Sequence, residues 1–75
     1  MNKQRRKELD TIYRKIEELM QDLTTVCGDE QDAYDNLPES FQESERGETM
    51  YNAIDNMESA LSSLSDALDY IVEAV

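Results

Sequence analysis

At 75 residues with a net charge of −11, no histidine and a single cysteine, Cys27, the chain reads as one small acidic domain. The usual general base, the commonest metal ligand and any intrachain disulfide are absent, so a histidine-dependent enzyme and a disulfide-stapled miniprotein are both excluded. No apolar run approaches about 18 residues and the basic start leads into no apolar signal core, which predicts a cytoplasmic protein with no membrane contact.

In chain order, Leu9, Ile12, Ile16, Leu19, Leu23 and Val26 recur at alternating steps of three and four, a heptad seam. One long helix is expected over about 3–36, weakened near Gly28. Leu37 precedes Pro38 and is biased away from helical geometry, so the tip is placed at 37–43. The next helix starts either at Ser40, with Glu43 completing a capping box, or at Ser44 as a simple N-cap; the room a turn needs favours Ser44 and a helix over about 44–75. There Met50, Ile54, Met57, Leu61, Leu64, Leu68, Ile71 and Val75 form a second seam, beside a seven-residue repeat of Ala53, Ala60, Ala67 and Ala74.

Folding one seam onto the other pairs Leu9 with Ile71, Ile16 with Leu64, Leu23 with Met57 and Val26 with Ile54, giving an all-α fold: an antiparallel two-helix coiled-coil hairpin about 48 Å long. In that register Glu30 falls near Met50 and within reach of Arg46 for an ion pair. A lone core of this size contributes only about 3–5 kcal/mol of net stability. Tyr13, Met20, Cys27 and Tyr34, with Tyr51 and Val72, flank the seam and are the candidate interface for a homodimeric four-helix bundle; the alternative is that they only widen a monomer's stripe.

Six of the seven basic residues lie in the first fifteen positions, and from Ile16 onward sixteen carboxylates face Arg46 alone. The hairpin sets the basic start beside Asp66, Asp69 and Glu73. The second helix carries Glu48, Asp55, Glu58, Asp66, Asp69 and Glu73 with no cation after Arg46, so it forgoes the i,i+4 pairs that support solvated helices. One net charge per roughly 3 Å of rod is comparable with a nucleic-acid strand at about 3.4 Å per charge. The acidic face is therefore the candidate partner-binding site for a protein with a basic surface, whereas direct nucleic-acid binding is disfavoured by repulsion. The plain alternative is that net charge only confers solubility. No cofactor is expected, since Asp29 to Asp35 lacks the glycine and closing glutamate of a calcium loop, and no catalysis, since no nucleophile–base pair occurs. Cys27 reads as a packed thiol, and Tyr70 falls on the outer face.

The tip Asp35-Asn36-Leu37-Pro38-Glu39-Ser40, followed by Gln42-Glu43-Ser44-Glu45-Arg46-Gly47-Glu48, resembles a group of small acidic proteins encoded by phages, prophages and conjugative elements of Gram-positive bacteria. The resemblance spans roughly residues 29–70. It implies a mobile-element origin, a bacterial host and a helical hairpin, and lends no activity or site. Two functions are expected to compete: a non-catalytic acidic binding protein, including a nucleic-acid mimic that inhibits a DNA- or RNA-binding or host-defence protein, and a structural or adaptor coiled coil that engages partner helices through apolar rows.

Overall fold

A computed structural model describes all residues, Met1–Val75. The fold is all-α, with α1 at Lys3–Asp35, a short α2 at Glu39–Gln42 and α3 at Glu45–Ala74. The side chain of Asn2 accepts the Arg5 N–H at 2.8 Å and opens α1. The helix then runs unbroken through Gly28, whose missing Cβ would meet open space. Thr11, Thr24 and Thr25, poor helix formers, donate their hydroxyls to the carbonyls four residues back, at 3.2, 2.8 and 3.1 Å.

Pro38 ends α1's run, and its carbonyl accepts the N–H groups of Phe41 and Gln42, closing the short α2 where the sequence predicts only a tip. Gln42 then reaches back, its Nε2 donating to the carbonyls of Tyr34 and Leu37 at 3.2 Å each. The Tyr34 carbonyl in the last turn of α1, which also accepts the Leu37 N–H at 3.0 Å, and the Leu37 carbonyl just beyond the helix thereby gain a side-chain donor. Ser44 caps α3: its hydroxyl accepts the Gly47 N–H at 3.4 Å and donates to the Phe41 carbonyl. Gly47 is buried where this joint is tightest, since a Cβ there would sit 2.6 Å from the Phe41 carbonyl oxygen and closer still to that of Gln42.

α3 packs along α1. The molecule measures 58 × 15 × 12 Å, and α1 alone spans about 50 Å at about 1.5 Å per residue, so the long helices lie side by side. Their meeting points are distant in sequence. The Cys27 thiol lies 4.0 Å from the Ile54 carbonyl oxygen, the Tyr34 and Tyr51 rings are 6.2 Å apart at a tilted 55°, and Leu9 and Tyr13 line one cleft with Ile71, Val72 and Val75.

These contacts correct the expected seam on α1. Leu9, Ile16 and Leu23 are half-buried as expected, but the alternate row facing α3 is Tyr13, Met20, Cys27 and Tyr34. Ile12, Leu19 and Val26, expected inside, are 45, 62 and 55% exposed. Both rows are apolar and both alternate with the shared Leu9, Ile16 and Leu23, so one rotation of α1 exchanges them. Tyrosine and methionine are long enough to bridge two helices unaided, which fits the observed choice.

Only Cys27, Gly47, Ile54 and Leu68 are buried. Full burial of an Ile or Leu side chain is worth about 1.5–3 kcal/mol, so this core is thin.

Candidate interaction surfaces

The six acidic candidates, Glu48, Asp55, Glu58, Asp66, Asp69 and Glu73, are all exposed along α3. The helix is held by α1 and by alanine and leucine propensity, which leaves its outer carboxylates free of any structural partner. The only ion pair in the molecule joins Arg14 Nε to Asp10 at 3.2 Å on α1, between two exposed side chains. The expected Glu30–Arg46 pair is not formed: Glu30 is half-buried on the inward side of α1 and Arg46 is exposed. No ion pair ties the basic start to Asp66, Asp69 or Glu73 either; Arg6 borders the cleft made by Leu9, Tyr13, Ile71 and Val75. Of the eighteen carboxylates all but Glu30 are exposed. Residues 16–75 thus project a net −15 along 58 Å, about one charge per 4 Å, close to the spacing of a nucleic-acid strand.

Of the six residues expected to form a dimer interface, Tyr13 and Val72 line one cleft and the Tyr34 and Tyr51 rings pack against each other. Cys27 is buried and Tyr13, Met20 and Tyr34 are half-buried on the side of α1 that faces α3, and Tyr51 and Val72 are exposed on α3. The two edges of the rod, where the helices' flanks meet, differ in character. On the first, Asp10 borders Val72 in one cleft, and Gln31 borders Tyr51, Asp55 and Glu58 in another. This edge is mixed: Leu9, Tyr13, Ile71 and Val75 make the first cleft mostly apolar, and the second carries Asp55 and Glu58. On the second edge α1 contributes Ile12, Leu19 and Val26, and α3 contributes the alanine repeat, in which Ala60 and Ala74 are exposed and Ala53 and Ala67 half-buried. Heptad spacing reveals both rows of α1; which one is left outside is set by the packing of α3.

No group of three or more His, Cys, Asp or Glu side chains is arranged to hold a metal ion, and no helix is long and apolar enough to cross a membrane. Tyr70 is exposed as expected, and Phe41 is exposed at the tip, unremarked by the periodicity because it lies between the seams. Comparison of the chain with known protein families, with curated proteins and with solved structures finds no match.

Proposed function

We propose that the chain is an antiparallel coiled-coil hairpin acting as a non-catalytic acidic binding protein in the cytoplasm of a bacterial host, where it occupies the basic surface of a protein partner. The chemistry of that surface is the chemistry that recognises nucleic acid, so the protein serves as a nucleic-acid mimic and inhibitor, in keeping with the mobile-element origin its tip implies. What supports this is the state of its charge: a single ion pair among eighteen carboxylates, with the seven on α3 unpaired. A charged helix kept only for its own stability gains from i,i+4 cations, and α3 has none after Arg46.

The test is capture from the host lysate at low and high salt, with wild type beside a variant in which Asp55, Glu58, Asp66 and Asp69 are all replaced by lysine. The expected result is a basic protein bound at low salt, released by high salt, absent from the variant and displaced by duplex DNA or RNA. Retention of the same protein by a helical variant contradicts the proposal. The adaptor function draws on a different observation, the exposed Ile12, Leu19 and Val26, and predicts capture that salt barely changes.

A further inference from the structure

The second edge of the rod presents Ile12, Leu19 and Val26 on its α1 side and is uncharged on its α3 side. Asn56, Ala60, Ser63, Ala67, Tyr70 and Ala74 follow one another at steps of four and three, so they form one strip along the helix. None is ionisable near neutral pH, although α3 carries seven carboxylates elsewhere. Alongside it Ile12, Leu19 and Val26 present large aliphatic side chains to solvent. Alanine on one helix and branched aliphatics on its neighbour are what close helix packing requires: small residues let a further pair of helices approach, and large ones fill the gap.

The area shows how much cover is missing. A folded monomer of 8.7 kDa exposes about 4,700 Å² by the usual scaling with mass, whereas this chain exposes 5865 Å². The excess is about 1,100 Å² per chain, beside the roughly 800 Å² that each partner buries in a standard stable interface. The distribution of charge names the occupant. Copies of a chain at −11 repel one another wherever carboxylates meet. On α3 the strip is the lengthwise surface that offers a second copy no carboxylate.

We propose that this edge is a self-association surface, taken by a second copy of the chain to give a four-helix bundle whose two-fold partner covers Ile12, Leu19, Val26 and the alanine strip. The inference rests on the hairpin proposed above and is independent of what the acidic face binds. It moves the dimer interface away from Tyr51 and Val72, which lie on the edge that carries Asp10, Asp55 and Glu58, and leaves the carboxylates of α3 in both copies pointing outward.

Sedimentation equilibrium of the full chain tests it, with Leu19→Gln and Ala60→Gln on the proposed edge and Val72→Gln on the other. Wild type is expected to dimerise at tens of micromolar and to dimerise more tightly as salt rises, because screening relieves acid–acid repulsion. This is the opposite of the salt response of a complex with a basic partner. Leu19→Gln and Ala60→Gln should each weaken association at least about 10-fold, and Val72→Gln should leave it within about 3-fold. If Leu19→Gln instead loses helicity while Val72→Gln does not, the proposal is also supported, because Leu19 is exposed within one chain and a polar residue there harms folding only where a copy covered it. A fully helical wild type that stays monomeric at tens of micromolar overturns the proposal and leaves the edge to a foreign helix. So does a dimer weakened by Val72→Gln and indifferent to Leu19→Gln. A protein that dimerises as described but captures no basic partner loses the functional proposal and keeps this one.

Discussion

The two glycines offer one substitution with opposite expected signs. Gly28 lies on the solvent side of α1 with nothing within 4 Å of its missing Cβ, so Gly28→Ala gains only helix propensity, about 1 kcal/mol. For a domain of this size that raises Tm by about 4–8 °C. Gly47→Ala gains the same propensity but places its Cβ within 2.6 Å of the Phe41 carbonyl oxygen and nearer still to Gln42. These are backbone atoms, which cannot rotate aside, so α2 must lift from α3. Lifting it breaks the two Gln42 bonds to the Tyr34 and Leu37 carbonyls, about 1 kcal/mol each, and disturbs the Ser44 cap, about 1 kcal/mol more. The net cost is about 2 kcal/mol, or a fall of about 8–16 °C. Thermal unfolding followed by circular dichroism at one fixed protein concentration reads both variants, since self-association makes Tm concentration-dependent. A Gly47→Ala protein as stabilised as Gly28→Ala would refute the tip geometry.

Further predictions follow from the same contacts. Gln42→Ala removes the bonds to the Tyr34 and Leu37 carbonyls and should cost about 1–2 kcal/mol in denaturant unfolding. Ile54→Ala empties the most buried position, at 5% exposure, and should cost about 2–4 kcal/mol; an effect below about 1 kcal/mol would place Ile54 outside the core. Cys27, buried against the Ile54 carbonyl, should react with a thiol reagent far more slowly in the native protein than in denaturant. Raising salt from about 10 to 150 mM should raise Tm, because the many unpaired carboxylates repel and the Debye length shrinks from about 30 to 8 Å; a fall would mean that attractive pairs dominate.

Much of the fold is legible in the sequence because helix signals are local. Heptad spacing places two long helices, Leu37-Pro38 stops the first one residue beyond its observed end at Asp35, and Ser44 opens the second. The choice of seam on α1 is not legible in the same way. Apolarity ranks Ile12, Leu19 and Val26 above Tyr13, Met20, Cys27 and Tyr34, so a reading of one chain puts the aliphatics inside. The packing reverses that order, and a partner covering the aliphatic row would restore the sense of the ranking. Gln42 escapes sequence reasoning for a different reason. Its role is to reach carbonyls five and eight residues earlier, a contact made across the break between α1 and α2 and carrying no periodic signal. The acidic face was legible as composition, and the structure adds that its carboxylates on α3 have no cationic partners.

Which row of α1 faces α3 decides both the core and the free edge, and isotope-filtered NOE spectroscopy on a mixture of labelled and unlabelled chains reads it directly. The account predicts intrachain contacts from Tyr34 to Tyr51, from Cys27 to Ile54 and from Tyr13 to Ile71 or Val75, with Leu19 giving none to the Leu61 side chain. Intrachain contacts from Leu19 to Leu61 and from Ile12 to Leu68, with Tyr13 and Met20 in solvent, would contradict it.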